Sequence, residues 1–344
     1  MKNKVTITDI AKQLNVSTTT INIALGGKGR VSEKTRQLVI ETCKRLGYKP
    51  NKVAMGLARK SIRIGVIINS NFPVFHNELI KGAKEAQSEL EDFNVYGEYF
   101  IYTLANNRLT ILEKMQELGD KEFDGIVVCA GDDVRDYSRV IDKLYNKNIP
   151  VVSIVSDIPD SRRIFSVRVD GRLAGKMAAE LLYWFTDGGT VAIFTGFKDR
   201  GVHKESINGF MEQVKNKHLD VINIFENQDD FDIAYYATEK LLKEYPETAG
   251  IYINSANSES VCRKITELGK GGKIKIVASD IFPELNRYLK DGIVHATIFQ
   301  DPFRQGKLAF EQLYEYIIGG KKQLDNEILL RPQIVLESNI DSYI

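Results

Sequence analysis

The chain has 344 residues, of which 43% are hydrophobic and 27% are charged, and this length predicts two or three globular domains. No apolar run approaches the roughly 18 to 20 residues of a membrane-spanning helix, and the N-terminus lacks the apolar segment of a secretory signal. We therefore expect a cytoplasmic protein. Cys43, Cys129 and Cys262 lack C-x-x-C spacing, which predicts buried, reduced thiols.

The net charge of +1 conceals an uneven distribution along the chain. Residues 1–60 contain 13 Lys and Arg against 3 Asp and Glu, whereas residues 61–344 contain 34 against 43. A basic head on an acidic body is typical of a protein whose head binds a polyanion. We therefore predict that the head binds nucleic acid.

The basic head is patterned as three short helices. In "TITDIAKQL" the apolar residues recur at helical spacing, with Thr8 as the predicted N-cap. Asn15 tolerates a left-handed turn, and Ser17 is the predicted cap of the second helix. Ser32 is the predicted cap of the third, which ends at Gly47. Two helices joined by so tight a turn predict a helix-turn-helix, whose second helix enters the major groove of DNA.

The second helix divides its residues between two faces. One face is available for packing and carries Thr20, Ile21, Ala24 and Leu25. The opposite face carries Thr18, Thr19, Asn22 and Ile23. Short hydroxyl side chains let the helix approach DNA closely, donate to phosphates or bases, and contact thymine methyl groups. The pattern alone is also compatible with an ordinary cap followed by β-branched residues.

Four motifs of the head occur in a characteristic order: "DIAKQLNVS", "VSEKTRQLV", "LGYKPNKVA" and "LARK". In sequence and spacing they resemble the N-terminal headpiece of the LacI/GalR repressors. The resemblance implies a DNA-binding headpiece over residues 1–49 and a hinge helix and linker over residues 50–61. The residues expected to contact DNA are Thr8, Ser17, Thr18, Thr19, Asn22, Arg30, Asn51, Leu57 and Ala58.

The hinge sequence "NKVAMGLA" is too short to be stable as an isolated helix, which needs about 12 to 15 residues. We expect it to fold against its twin on DNA. The resemblance implies that Leu57 then inserts between base pairs from the minor groove and kinks the duplex. Ile23 departs from the family pattern, in which many relatives carry a basic residue or histidine, so the operator sequence stays open.

Beyond Ser61, short apolar segments alternate with amphipathic helical patterns such as "NELIKGAKEAQSEL" and "GRLAGKMAAELLYWF". The predicted strands include "IRIGVII", "FDGIVVCA", "PVVSIV", "TVAIFTG", "AGIYIN", "IKIVAS" and "VHATIF". This alternation predicts parallel sheets covered on both faces. More than ten strands are expected, which favours two sheets because a sheet averages about five or six strands.

The body resembles, more loosely, the effector domain of the same family and especially its ribose-binding branch. The resemblance implies an N-subdomain of residues 62–167 and 299–330 and a C-subdomain of residues 168–298 and 331–344. The expected fold is a small all-α helix-turn-helix headpiece plus an α/β periplasmic-binding-protein-like body of two doubly wound parallel-sheet subdomains. The resemblance also implies a homodimer on a pseudo-palindromic operator.

Ligands of such sheets bind beyond the carboxyl ends of the strands. The loops there are rich in Asn, Asp, Ser, Arg and Phe, which suits a neutral sugar or polyol. The resemblance implies effector contacts from Phe75, His76, Asn254, Asp280 and Gln300. An expected carboxylate–arginine pair is replaced by Val155 and Ser156, and Ser206 stands in place of an arginine. These departures argue against plain ribose as the ligand. We expect Asp157, Arg162, His203 and Glu205 to supply the missing effector contacts.

The sequence lacks the G-x-G-x-x-G, P-loop and H-E-x-x-H signatures, so we expect neither an enzyme nor a cofactor or metal site. Asp132, Asp133, Asp229, Asp230 and Asp232 are interpreted as turn and cap residues and not as acid–base pairs. The favoured function is a ligand-responsive transcription regulator. Repression is the more common mode of action in the family, so we expect a repressor. The alternatives are a solute-binding protein without a regulatory role and a regulator that responds to a nucleobase or a protein co-effector. A rival hypothesis against our expectation is an enzyme that acts on the same polyol, which turnover of the ligand would reveal.

Overall fold

The computed structural model describes residues 5–26, 31–46, 61–69, 72–102, 107–130, 135–215, 217–319 and 325–343. The head contains three helices: α1 (Ile7–Leu14), α2 (Thr18–Gly26) and α3 (Glu33–Leu46). They enclose a small core of Ile10, Ala11, Ile21, Ala24, Val39 and Cys43. The predicted order of three helices is confirmed. Gly47, Arg30, Asn51, Leu57 and Ala58 lie outside the described residues.

The first helix begins two residues earlier than the sequence pattern predicted. Its N-cap is Thr6 and not Thr8, because Thr6 and Asp9 form a reciprocal capping box. The Thr6 backbone N–H donates to the Asp9 carboxylate at 2.9 Å, and the Asp9 N–H donates to the Thr6 hydroxyl at 3.4 Å. Thr8 is therefore an exposed residue of the first turn. The left-handed Asn15, with a φ of 52°, is confirmed.

The other two predicted caps of the head are confirmed. The Thr20 N–H donates to the Ser17 hydroxyl at 3.0 Å, and the Thr35 N–H donates to the Ser32 hydroxyl at 3.1 Å. Each serine therefore satisfies one of the backbone donors that a helix start leaves without an intrahelical partner.

Thr6→Ala is expected to destabilise the head by about 1 kcal/mol, because it removes the side-chain half of the capping box. Amide hydrogen exchange of residues 5–26 in the full chain will then accelerate about fivefold, as read by mass spectrometry. Thr8→Ala is the matched control and will leave exchange unchanged. Faster exchange in the Thr8 variant than in the Thr6 variant would contradict this cap.

The body contains two six-stranded sheets, as predicted. The first has the order β11-β5-β4-β3-β1-β2 and is parallel throughout. Its strands are β1 (Ile62–Asn69), β2 (Val95–Tyr102), β3 (Gly125–Cys129), β4 (Val151–Ile154), β5 (Phe165–Val169) and β11 (Glu327–Leu330). Helices α4 (Pro73–Glu89) and α12 (Pro302–Gly319) cover one face, and α5 (Asn107–Asp120) and α6 (Arg135–Asn146) cover the other.

The second sheet has the order β12-β10-β9-β8-β6-β7, in which only β12 is antiparallel among the described strands. Its strands are β6 (Gly189–Thr195), β7 (Leu219–Glu226), β8 (Gly250–Asn254), β9 (Lys275–Ser279), β10 (Ala296–Phe299) and β12 (Gln333–Val335). Helices α7 (Gly171–Thr186) and α8 (Gly201–Val214) pack on one face. The other face is covered by α9 (Phe231–Glu244), α10 (Ser258–Glu267) and α11 (Pro283–Lys290).

The chain passes between the sheets three times: after β5, after β10 and after β11. The predicted subdomain boundaries lay at 167/168 and 298/299. Strands β5 and β10 extend slightly beyond them, so that Arg168 pairs in the first sheet and Phe299 in the second. The three cysteines are buried and form no disulfide bond, as predicted. None of the described helices is long and apolar enough to cross a bilayer.

Candidate functional site

A cavity of about 420 Å³ lies between the two subdomains. One wall comes from residues that follow β1, β3 and β4, and the facing wall from residues that follow β6, β7, β8 and β9. This is the position at which parallel α/β sheets bind ligands, since their helix N-termini and loops converge there. The cavity is lined by most of the predicted effector residues: Phe75, His76, Asp157, His203, Asn254, Asp280 and Gln300.

The wall of the first subdomain is built on the start of α4. This helix begins at Pro73, four residues before the predicted helical segment, and so Phe75 and His76 lie in its first turn. The Phe72 N–H donates to Nδ1 of His76 at 3.2 Å, which leaves the ring proton of neutral His76 on Nε2. Burial lowers the pKa of His76 to about 4, so the ring is neutral near pH 7.

Asp280 and Gln300 form a hydrogen-bonded pair at the crossover from β10 to α12. The Gln300 side-chain amide donates to Oδ2 of Asp280 at 2.6 Å, and its backbone N–H donates to Oδ1 at 3.2 Å. Burial raises the pKa of Asp280 to about 7 despite these two donors. A ligand that contacts this pair therefore acts directly on a segment that joins the two subdomains.

Asn254 and His203 are also held in place by local hydrogen bonds. The Asn254 amide donates to the backbone carbonyl of His203 at 3.1 Å, and the Phe197 N–H donates to Nδ1 of His203 at 3.2 Å. Asn254 is buried at the end of β8, and His203 lies in the first turn of α8. The two side chains are therefore oriented before any ligand enters.

The segment after β4 adopts a strained turn at the cavity. Val155 has a φ of 69°, an uncommon conformation for a β-branched residue. The Ser156 N–H donates to the Ile154 carbonyl at 2.8 Å, which closes a γ-turn. Such strain is concentrated at functional sites in proteins. The turn places Val155, Ser156 and Asp157 at the cavity.

Arg162 and Glu205 do not line the cavity, contrary to their predicted positions. The Arg162 guanidinium lies over the Tyr145 ring, 5.1 Å from its centroid, on the outside of the subdomain. The adjacent Arg163 is the residue that pairs with Asp157 through two nitrogens, one of them at 2.7 Å. Consecutive side chains of an extended segment point in opposite directions, and this alternation selects Arg163.

Glu205 instead joins the two subdomains. Its carboxylate accepts from Arg168 of β5 at 2.5 Å, and Arg168 also donates to Glu327 of β11 at 3.2 Å. The position of Glu205 on α8 turns its side chain away from the cavity and toward the first sheet.

The DNA-binding residues predicted in α2 lie on its solvent-facing side. Ser17, Thr18, Thr19 and Asn22 are exposed, whereas Ile21 and Ala24 are buried in the core of the head. Ile23 is half-buried, which places it at the edge of the exposed face. The structure thus leaves a continuous polar strip of short side chains available to a partner.

Comparison with known proteins identifies both parts of the chain. The model of "Bacterial regulatory proteins, lacI family" matches residues 6–51, and that of "Periplasmic binding protein domain" matches residues 64–322. Catabolite control protein A of Priestia megaterium is 30% identical over 260 residues, which span 73% of this chain and 74% of that protein. The chain belongs to the LacI family of bacterial regulatory proteins.

Other members of the LacI family match almost the whole chain. The transcriptional repressor PurR of Vibrio vulnificus is 26% identical over 347 residues, which span 97% of this chain and 98% of that protein. The chain is accordingly a DNA-binding transcriptional repressor of this family with a sugar-binding-like effector domain. Its matched relatives are regulators and not enzymes.

Solved structures match the body of this LacI-family chain. GanP, a glucose-galactose binding protein of Geobacillus stearothermophilus, has a TM-score of 0.75 and 26% identity, with 82% of this chain and 99% of that chain covered. A solute-binding protein of Burkholderia graminis in complex with D-arabinose has a TM-score of 0.76 and 25% identity, with 83% and 98% covered. The expected periplasmic-binding-protein-like fold is therefore confirmed.

Ser206, which replaces an arginine expected from the LacI family, is buried beneath the cavity wall. Its hydroxyl lies 2.7 Å from the hydroxyl of Tyr252. A guanidinium reaches the cavity from Arg200 instead, stacked 3.5 Å over the Phe197 ring and paired with Asp229 at 2.5 Å. The cavity thus obtains an arginine from the turn before α8 and not from within that helix.

Several cavity residues escaped the sequence prediction: Asn69, Phe72, Arg200, Asp229 and Phe282. Asn69 ends a strand of the LacI-family body and the other four follow one, and that position was the available signal. Asp229 lies in a turn as predicted, with a φ of 57°, but it also lines the cavity, and burial raises its pKa. The next residue, Asp230, is a helix cap as predicted and accepts the Ile233 N–H at 2.9 Å.

No metal site is apparent in the part of the LacI-family chain that the structure describes, since no three His, Cys, Asp or Glu side chains converge there. Asp132 and Asp133 lie outside the described residues. The lining side chains of the cavity offer hydrogen-bonding groups and aromatic rings to a ligand.

Proposed function

We propose that this LacI-family repressor acts as a cytoplasmic homodimer and that a small neutral sugar or polyol controls its operator affinity. The effector binds in the cavity between the two subdomains and contacts Phe75, His76, Asp157, His203, Asn254, Asp280 and Gln300. The exposed face of α2 reads the operator through Ser17, Thr18, Thr19 and Asn22. Thr8, Arg30, Asn51, Leu57 and Ala58 complete the proposed DNA contacts.

The charge balance of the cavity supports a neutral effector. The Asp157 carboxylate is paired with Arg163, and the Asp229 carboxylate is paired with Arg200. His76 is neutral near pH 7, and burial raises the pKa of Asp280 to about 7. The two other charged residues of the lining, Asp199 and Lys204, have opposite signs. The charges are thus largely compensated within the protein, which suits a ligand whose hydroxyl groups need paired donors and acceptors.

The single observation that carries the proposal is the Asp280–Gln300 pair, which combines a ligand-facing carboxyl group with an inter-subdomain crossover. A ligand that binds one relative orientation of the subdomains more tightly shifts the population toward it. The sugar-binding proteins that share the fold of the body support a sugar as this ligand.

The DNA-binding half is tested by selecting an operator from random duplex DNA with the full chain. Thr19→Ala and Asn22→Ala should each weaken binding to the selected duplex by about tenfold to hundredfold in a gel-shift assay, because base contacts are lost. Gln13→Ala, an exposed change on α1, serves as the control. Unchanged affinity in both α2 variants would contradict the assignment of the recognition helix.

The effector half is tested by a thermal-shift screen of the same protein against sugars, polyols and nucleobases. A sugar or polyol should raise the melting temperature and change the affinity for the selected operator. Asn254→Ala and Gln300→Ala should abolish both responses. Binding that leaves operator affinity unchanged would indicate a solute-binding role, a response to nucleobases alone would indicate that class of effector, and turnover of the ligand would indicate an enzyme.

A further inference from the structure

A smaller cavity of about 160 Å³ adjoins the main cavity, and we call it the side cavity. The two cavities share three lining residues, Phe72, Ala256 and Phe282. Phe72 belongs to the first subdomain, whereas Ala256 and Phe282 follow β8 and β9 of the second. The side cavity therefore borders the main cavity at the same cleft, and a ligand that extends past Phe72 and Phe282 would reach both.

The walls of the side cavity are mainly apolar. Three aromatic rings, Phe72, Phe231 and Phe282, are joined there by Val74 and Leu285. An apolar cavity of about 150 Å³ is large enough to bind one molecule of benzene. The side cavity therefore has the size and the lining for one aromatic ring.

Two of these apolar side chains are unusually accessible. Val74 is 42% exposed and Phe231 is 36% exposed, although both lie at the first turn of a helix beside the cavity. Exposed apolar groups that line a concave site are typical of ligand-binding surfaces. A ring inserted between them would remove this apolar surface from water.

The polar groups of the side cavity argue against an anion or a second sugar. Glu259 and Glu284 lie in the first turns of α10 and α11, where their charges offset the positive helix ends. Its described lining contains no Lys, Arg or His. The Asn257 amide already donates to the Asp230 carbonyl at 3.2 Å. The Ser258 hydroxyl and the two carboxylates can still pair with sugar hydroxyls, but only Ser258 is a donor, whereas a sugar ring needs several paired donors and acceptors.

We propose that the effector is a glycoside with a neutral aromatic aglycone. The sugar ring occupies the main cavity, and the aryl ring occupies the side cavity between Phe72, Phe231 and Phe282. This inference rests on the proposed function, because the sugar half requires the main cavity to bind a sugar.

The test measures binding of matched glycosides to the full chain by calorimetry. The probes are the methyl and phenyl glycosides of D-glucose, D-galactose and D-xylose, each as the α and the β anomer. For a sugar that binds, we expect the phenyl glycoside to bind about tenfold or more tightly than the methyl glycoside.

Three variants assign that advantage to the side cavity. Phe231→Ala should remove the phenyl advantage and leave the affinity for the methyl glycoside unchanged. Val74→Trp, which fills the side cavity, should do the same. Ile233→Ala is the matched control, because Ile233 is 41% exposed on the same helix but does not line the cavity.

The possible results separate this inference from the proposed function. Equal affinities for methyl and phenyl glycosides would overturn the inference and leave the sugar-responsive function intact. Tighter binding of cellobiose or lactose than of any phenyl glycoside would also overturn it and assign the side cavity to a second sugar. An absence of binding by every sugar, polyol and glycoside tested would refute the proposed function and the inference together.

Discussion

Asp280→Asn will raise the free energy of unfolding above pH 7 by up to about 4 kcal/mol, because it removes a buried charge. Burial raises the pKa of Asp280 from 3.8 to about 7, and each pKa unit corresponds to about 1.4 kcal/mol. The asparagine retains an acceptor for a donor of Gln300 but does not titrate. Unfolding in urea, followed by circular dichroism from pH 4.5 to pH 8, measures the change.

The sign follows from proton binding in the two states. Between pH 4 and pH 7 the folded protein holds a proton on Asp280 that the unfolded chain has released. The stability of the wild-type protein therefore falls as the pH rises through this range, and the cost is fully present above pH 7. The advantage of Asp280→Asn should grow over the same interval.

Asp157→Asn is the control with the opposite expected sign. Burial acts to raise the pKa of Asp157, but the hydrogen bonds and charge of Arg163 outweigh it and lower the pKa below its ordinary value. The asparagine should therefore destabilise the protein at neutral pH, with a loss that shrinks as the wild-type carboxylate becomes protonated in acid. If both variants changed the free energy of unfolding with the same sign and the same pH dependence, the raised pKa of Asp280 and the lowered pKa of Asp157 would be contradicted.

Gly175→Ala will destabilise the second subdomain by about 3 kcal/mol, since α7 and α8 pack there with their backbones in contact. A Cβ at residue 175 would lie 1.8 Å from the Ser206 carbonyl oxygen. A backbone atom cannot rotate aside as a flexible side chain can, so the helices must move apart. Because α8 starts at the cavity, this movement should also weaken effector binding.

Gly201→Ala is the matched control for this prediction. Gly201 begins the same helix α8, and a Cβ there would have no heavy atom within 4 Å. The melting temperature of the Gly201→Ala variant should stay within about a degree or two of that of the wild-type protein. Equal destabilisation by the two alanines in a thermal unfolding experiment would show that the close contact of α7 and α8 is not responsible.

Local pattern was sufficient for much of the fold. The seven strands named from apolar segments correspond to β1, β3, β4, β6, β8, β9 and β10. Strands β2 and β7 lie at sheet edges, where exposed polar positions interrupt the apolar run. Edge strands of this kind carry a weaker periodic signal, because only one neighbouring strand and part of each face bury them.

Two competing local signals explain why the sequence pattern predicted the wrong N-cap for α1. Both Thr6 and Thr8 are good N-cap residues by type. The choice depends on the residue three positions later, since Asp9 completes a capping box with Thr6. This reciprocity is present in the sequence and was an available signal.

The residues that line the candidate site were also only partly predictable from the sequence. The resemblance to the family led to Phe75, His76, Asn254, Asp280 and Gln300, which lie at or beyond the ends of strands and line the cavity. Arg162 and Arg163 are adjacent and identical in type, so that only the direction of each side chain distinguishes them. Aspartate is a common turn residue, so its type alone does not reveal that Asp229 is buried at the cavity. That burial depends on the packing of β7 against β6.

The sequence by itself determined the class of this protein: a basic three-helix head, a body of alternating strands and helices, and a polar, solvent-facing strip on α2. These features depend on spacing along the chain, and spacing is visible in a sequence. Only the tertiary structure decided which side chains meet in the cleft, that Arg163 and not Arg162 pairs with Asp157, and that Glu205 joins the subdomains. It also revealed the side cavity, because contacts between residues more than 150 positions apart depend on how two sheets face each other.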